Sequence, residues 1–482
     1  VFIMCVFICT FGSTNIQLNA HIVIKQTASN EDSHTYLPML TYLSNWKNPF
    51  AVEVEVGANV KPDSLTLQRA KELGVGSIRL HRRLSWRKAQ PEINGPIDLT
   101  VFADFEEELR GLSGANIVPM VTVWDYPRWA TAVANSCSPI KPEHINAYAG
   151  FVSRLVNRYK NPPFNVKYWE MGNEPDVDVR AVPPDSIYGC WGNYDDQEFY
   201  GGRQYGEMLK VAGAAIRSAD PEATVIMGGV IMHTPYGNPP GSLTEKFLRG
   251  VFSVGAAPFF DILPFHGHAL YYNRVADYSG SSAGGWGNPD PNKDGPTRGK
   301  TAIAKAVMAS FGVTKTLWLN EVSMGCKSDE SWCMPPSESY YQAMADHLPR
   351  MMSRALNTGV ERISWYTLAG GGWNYTDLLK PDNSPTPAFI SYQNLIAQLN
   401  GTSLPSIKVN YANGVEAYRF SRAGRVVDVV FVVEGDSKII ELPADKLIQA
   451  VSRDGVTIIP DQANGIAKVT IGFSPVYIHR RL

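Results

Sequence analysis

The stretch VKYWEMGNEPD, residues 166–176, ends an apolar run abruptly in Asn173-Glu174-Pro175. An amide and a carboxyl thus lie side by side where a strand gives way to a loop. Pro175 has no backbone donor, so ladder pairing stops there. A carboxyl at the mouth of a buried parallel strand is well placed for acid–base work. Two things decide how far this goes: whether strand-like and helix-like runs alternate on both sides, and whether a second carboxyl occupies the same setting.

They do alternate. Strand-like runs are expected at 51–57 (AVEVEVG), 77–84, 117–124, 166–171, 224–230, 261–266, 316–322 (TLWLNEV) and 362–368. Helix-like runs fall at 65–73, closed by Gly74, and at 101–112, 142–159, 205–218, 301–311, 340–357 and 389–399. Eight strands interleaved with helices predict an α/β fold, a (β/α)8 TIM barrel. Several strands are near-continuous apolar runs, as burial on both faces requires. An open doubly wound sheet would carry a glycine-rich phosphate turn after its first strand, and the segment following Gly57 has none.

After Asn400-Gly401 the pattern changes to short strands, among them VEAYRF, RVVDVVFVV and PVYIHR. Asn413-Gly414, Glu434-Gly435 and Asn464-Gly465 supply turn signals. The expected organisation is a signal-peptide-like apolar segment over 1–20, a barrel with an N-terminal extension over 21–400, and a small antiparallel β-sandwich over 401–482.

The N-terminal run VFIMCVFICTFGS is shorter than the ~20 residues that span a bilayer, and it resembles the apolar core of a secretory signal. Secretion or another extracytoplasmic location is therefore expected, with no stable membrane insertion. Cys137, Cys190, Cys326 and Cys333 remain beyond that run and lack zinc-site spacing. An exported chain with an even number of cysteines favours disulfides. Of three pairings, Cys326–Cys333 with Cys137–Cys190 is preferred; four free thiols are the rival. A formal net charge of −2 gives no reason to expect nucleic acid as a partner. Aromatics make up 11% of the chain, which fits a ligand that stacks on rings as well as it fits a large core.

The second carboxyl is present. Glu321 follows the apolar run LWLN at the end of strand seven, across the barrel mouth from strand four. Two carboxyls flanking one bond can hydrolyse a glycoside, one as proton donor and one as nucleophile. At ~5–5.5 Å apart they retain anomeric configuration; at ~6.5–9.5 Å they admit a water and invert it.

This pair of motifs resembles the retaining glycoside hydrolases of clan A, and within the clan the chain resembles glycoside hydrolase family 39. Arg79-Leu80-His81 matches the family's strand-two RxH pattern, and a β-domain follows the barrel. Two positions depart from the family: Asn320 stands where Thr is common before the nucleophile, and strand six reads His266-Gly267-His268 where an aromatic residue usually takes the last place. The resemblance implies Glu174 as acid/base and Glu321 as nucleophile. It implies Asn173 on the sugar 2-hydroxyl and Arg79 beside the nucleophile, favouring its ionised form. His81 and His266 are expected to contact sugar hydroxyls or tune the carboxyls. Trp365 is expected to floor the sugar site, with Trp124, and less directly Trp129 and Trp286, as further aromatic contacts. Tyr271 or Tyr272 could reach the nucleophile.

The long loops 177–202 and 271–298 are expected to wall the cleft. The implied activity is hydrolysis of a β-linked oligo- or polysaccharide by double displacement, in the manner of an exo-acting β-xylosidase. An endoglucanase or arabinofuranosidase of the same clan, or a non-catalytic carbohydrate-binding barrel, is the alternative. No cofactor or metal is expected, because a metal-dependent barrel hydrolase would cluster His and Asp at several strand ends and strand one offers no HxH. The residues do not address oligomeric state.

Overall fold

A computed structural model describes residues 48–133, 135–183, 186, 189–232, 243–271, 295–327 and 330–482. The signal-like segment, nearly all of the N-terminal extension, Tyr272, Trp286 and most of the 271–298 loop lie outside these residues.

Eight parallel strands close into a barrel in chain order. They are β1 (Phe50–Val54), β2 (Ser77–Ser85), β3 (Val118–Trp124), β4 (Tyr168–Met171), β5 (Thr224–Met227), β6 (Ile262–Leu270), β7 (Thr316–Gly325) and β8 (Val360–Ala369). A helix follows each strand: α1 (Leu65–Leu73), α2 (Ala103–Gly114), α3 (Ile145–Tyr159), α4 (Gly202–Ala219), α5 (Leu243–Ser253), α6 (Gly295–Ser310), α7 (Glu338–Asn357) and α8 (Pro387–Leu399). The predicted TIM barrel is therefore the observed one. Helix α5 is the unit that the sequence pattern does not single out. Strands β6, β7 and β8 run beyond their expected ends, which carries their last residues to the rim.

Local signals explain the element ends. The Ser64 side chain caps α1 by accepting from the Leu67 amide, and Gly74 closes the helix at φ 81°, where only glycine is unstrained. Thr386 caps α8 in the same way, accepting from the Phe389 amide.

Inside the barrel the side chains form layers. Ala51, Met120, Ile226, Ile262 and Trp318 make an apolar floor, with Tyr168 packed against it. One pleat higher, on the same lumen face, stand Glu53, Arg79, Thr122 and Glu170. Alternation with a period of two accounts for the switch from apolar to charged.

The C-terminal strands, β9 (Ser403–Val409), β10 (Val415–Arg422), β11 (Arg425–Val432), β12 (Lys438–Pro443), β13 (Leu447–Ser452), β14 (Thr457–Ile458), β15 (Asp461–Ala463), β16 (Ile466–Ile471) and β17 (Val476–Arg481), form two antiparallel sheets. The larger has the order β14-β13-β17-β11-β10-β9 and the smaller β12-β16-β15. Val427, Val429 and Phe431 on one face of β11 join the main barrel core, while Val430 and Val432 on the other join the core between the sheets. Arg354 on α7 pairs with Glu416 on β10 at 2.6 Å, both buried. Both expected disulfides form, Cys137–Cys190 and Cys326–Cys333. No helix among the described residues is long and apolar enough to cross a membrane.

Candidate active site

Arg79 is the hub of the barrel mouth. Its Nε donates to Glu170 Oε2 at 2.7 Å and its Nη2 to Glu170 Oε1 at 3.2 Å, a two-point grip across from β2 to β4. Its Nη1 donates to Glu53 Oε2 and to Glu321 Oε1, each at 2.5 Å. Nη2 also donates to Asn173 Oδ1 at 2.8 Å. Three carboxylates hold the guanidinium far above its ordinary pKa despite complete burial, which alone would lower it. Thr122 Oγ1, Asn320 Nδ2 and the Gly229 amide complete the shell of Glu170, at 2.8, 2.7 and 3.2 Å.

Glu174 and Glu321 reach the site by local irregularities. Glu174 sits at φ 47°, in the left-handed region that costs a non-glycine residue about 1–2 kcal/mol. Its amide donates to Gly229 O at 2.8 Å. Asp176 explains the rest of the motif: its buried carboxylate accepts from the Ile231 and Met232 amides at 2.9 and 3.1 Å and from Thr244 Oγ1 at 2.5 Å. The β4 loop is thus tied down onto the β5 loop.

On β7 the register against β6 slips between Phe265 and His266, where Phe265 faces Leu319 and His266 faces Glu321. The extra residue, Asn320, lets two consecutive side chains enter the lumen, Asn320 toward Glu170 and Glu321 toward Arg79.

Two histidines link the carboxyls. His266 Nδ1 lies 2.8 Å from Glu174 Oε1, and its Nε2 lies 3.5 Å from Glu321 Oε1. His268 Nε2 lies 3.4 Å from Glu321 Oε2, and its Nδ1 hydrogen-bonds Ser323 Oγ at 2.8 Å. One donor atom from each of Glu174, His266, His268 and Glu321 falls within 4.8 Å of the others. Burial holds both imidazoles neutral, with His266 pushed down to about 3 and His268 to about 4. It pushes Glu321 up, against the pull of His266 and Arg79. Burial likewise pushes Glu53 up to about 7, against the pull of Arg79.

Gly229 is required at the floor. A Cβ there would sit 2.4 Å from His266 Nε2 and 2.6 Å from Asn320 Oδ1.

The structure therefore brings Glu174, Glu321, Asn173, Arg79 and His266 into one cluster. His81 adjoins it, with Nδ1 3.6 Å from Glu53 Oε1, and Trp124 packs edge-on against His81. Trp365 departs from expectation. It is fully buried, and its Nε1 donates to Thr376 O at 3.0 Å, so it has no open face for a sugar ring. Alternation along β8 turns its neighbour, Tyr366, toward the mouth instead, where the hydroxyl donates to Glu55 Oε1 at 3.0 Å. Among the described residues Trp373 is an exposed aromatic at the rim, 48% accessible and edge-on to His268. Trp129 packs on Trp86, away from the cluster, and Tyr271 is buried against Tyr340.

Glu53 and Glu170 escape a reading confined to strand ends, because each lies within its strand. The signal was a charge inside an apolar run, AVEVEV and KYWEM.

No protein-family model matches the chain, and no curated protein matches it. Solved structures do resemble it. A family 39 glycoside hydrolase from Bacteroides cellulosilyticus WH2 has a TM-score of 0.63 at 16% identity, over 91% of this chain and 82% of that one. A family 39 β-xylosidase from Caulobacter crescentus has a TM-score of 0.59 at 15% identity, over 91% and 97%. A family 30 subfamily 8 xylanase from Clostridium acetobutylicum also has a TM-score of 0.59, at 13% identity, over 90% and 96%. The chain thus shares its overall fold with proteins described as glycoside hydrolases.

Proposed function

We propose that the protein is a retaining glycoside hydrolase, with Glu174 as acid/base and Glu321 as nucleophile. The observation that carries this reading is the short gap between the two carboxyls, donor oxygens within 4.8 Å, on opposite sides of His266. Oxygens this close favour the ~5–5.5 Å separation of retention over the ~6.5–9.5 Å of inversion.

The chemistry follows from unequal surroundings. Arg79 bonds Glu321 directly, which favours the ionised form needed for attack on the anomeric carbon. Glu174 has the neutral His266 imidazole beside it at 2.8 Å and gives its proton to the leaving oxygen. As Glu321 becomes an ester its charge disappears, so Glu174 then gives up its proton more readily. It next takes a proton from the water that attacks the anomeric carbon, and the C–O bond to Glu321 breaks. Asn173, held by Arg79, is positioned for the 2-hydroxyl, and Trp373 is the aromatic available at the rim.

The substrate class is a β-linked saccharide. The xylosidase and xylanase among the similar structures favour a β-xyloside. The two disulfides and the signal-like N-terminal run support action outside the cytoplasm.

Glu174→Ala and Glu321→Ala assayed on aryl β-xylosides and other aryl β-glycosides test the roles. Glu321→Ala is expected to lose turnover, and azide is expected to restore part of it to Glu174→Ala on substrates with good leaving groups. Turnover at the parent rate in either variant overturns the assignment.

A further inference from the structure

The sixth strand brings a second imidazole to Glu321, and a glycosidase reading of the two carboxyls leaves that imidazole without a task. The two histidines are arranged alike. Each is held at Nδ1 by a neighbour, His266 by the Glu174 carboxyl and His268 by Ser323 Oγ, both at 2.8 Å. Each turns Nε2 toward a different oxygen of Glu321, at 3.5 and 3.4 Å. His266 Nε2 is fully buried and has no hydrogen-bond partner among the described residues. Gly229 packs close against it, where a Cβ would lie 2.4 Å away.

We propose that His266 Nε2, His268 Nε2 and the Glu321 carboxylate form a binding site for a divalent transition-metal ion of the zinc class. An ion there and a saccharide undergoing turnover exclude one another.

The donor set and its spacing fit. Zinc binds imidazole nitrogen and carboxylate oxygen at ~2.0–2.2 Å, which sets tetrahedral edges of roughly 3.3–3.5 Å. Each measured nitrogen–oxygen gap has about that length, one to each oxygen of Glu321, and one donor atom from each of the three residues falls within 4.8 Å of the others. The outer partners fit as well: a ligating histidine donates its other ring N–H to a carboxylate, hydroxyl or carbonyl, which fixes the tautomer that offers Nε2 to the metal. Glu174 and Ser323 supply those acceptors.

The rival cluster Glu53, Glu55 and His81 offers one imidazole where this one offers two.

Metal binding is independent of the glycosidase reading, since it is measured without substrate. Protein stripped with EDTA is dialysed against graded Zn2+ alone, and bound metal is determined by atomic absorption. One ion per chain is expected. His268→Phe, which keeps a ring between Tyr366 and Trp373, should weaken binding at least 100-fold. Ser323→Ala should weaken it about 10-fold by freeing His268. Co2+ in place of Zn2+ should give the visible absorption of a four-coordinate ion, absent in His268→Phe. If His268→Phe does not fold, as judged by circular dichroism, Ser323→Ala decides. No ion held at millimolar Zn2+ overturns the proposal, as do unchanged affinities in the folded variants, or loss in His81→Phe with retention in His268→Phe. Zn2+ should also stop aryl glycoside turnover at the concentrations that fill the site. Binding without that inhibition removes only the mutual exclusion.

Discussion

Arg79 Nη1 serves two carboxylates at once, Glu53 and Glu321, each at 2.5 Å. Glu321 raises the proton affinity of Glu53, and Glu53, pushed up to about 7 by burial, holds its proton over much of the acid range. A protonated Glu53 leaves the guanidinium charge to Glu321 and Glu170. The pH profile of kcat/KM follows with a definite sign. With Glu321 as the proposed nucleophile, whose pKa is raised above the ordinary 4.5, activity is expected to fall as pH falls through that raised value. Glu53→Gln copies that protonated form, so the acid limb should stay where it is in the parent, with kcat at the optimum little changed. A limb displaced in either direction contradicts this account. Much at this scale was legible in the sequence. Glu174, Glu321, Asn173, Arg79 and His266 each follow from an apolar run ending in a polar residue or from the RxH pattern. Trp365 was not. On a strand that alternates, the indole and Tyr366 exchange faces with a one-residue change of register, and the bends that set register leave no mark in composition.

At the scale of elements, the site depends on where regular pairing fails. The extra residue on β7 brings Asn320 and Glu321 into the lumen together, and the left-handed turn at Glu174 aims its carboxyl at His266. Gly229, just past the end of β5, leaves the space these groups share. Gly229→Ala places a methyl 2.4 Å from His266 Nε2 and 2.6 Å from Asn320 Oδ1, so both side chains must give way. Displacements near 1 Å cost catalytic alignment roughly 100-fold, whereas overpacking costs about 1–3 kcal/mol in stability. The variant should therefore remain folded by circular dichroism and lose about two orders of magnitude in kcat/KM. Near-parent activity would show that the floor is looser than the structure has it. The strand and helix order could be read from the sequence because buried strands and amphipathic helices differ in period. The bulge, the turn at Glu174 and helix α5 could not, since each is set by contacts between distant segments.

Over the whole molecule, barrel and C-terminal sheet share one core. Tyr418, Phe420, Val427, Val429 and Phe431 pack with the barrel's apolar residues, and Arg350 on α7 donates to Val432 O and Phe473 O at 2.8 and 2.7 Å. Urea unfolding followed by tryptophan fluorescence and by far-ultraviolet circular dichroism should therefore give one coincident transition. The probes differ in place, because no tryptophan lies beyond Trp373. Two separated transitions would mean that the sheet folds by itself. The change to short strands after Asn400 marked the second element of the fold. That its large sheet would complete the barrel's core could not be read, because alternation shows two apolar faces without saying what covers each. The same closed barrel sets the distance between strands four and seven, on which the proposed retention of configuration rests. Proton NMR of the first-formed sugar from an aryl β-xyloside, recorded before mutarotation, is the direct test. The β-anomer is expected, as two displacements at one carbon require; the α-anomer appearing first would contradict the assignment of Glu321 as nucleophile.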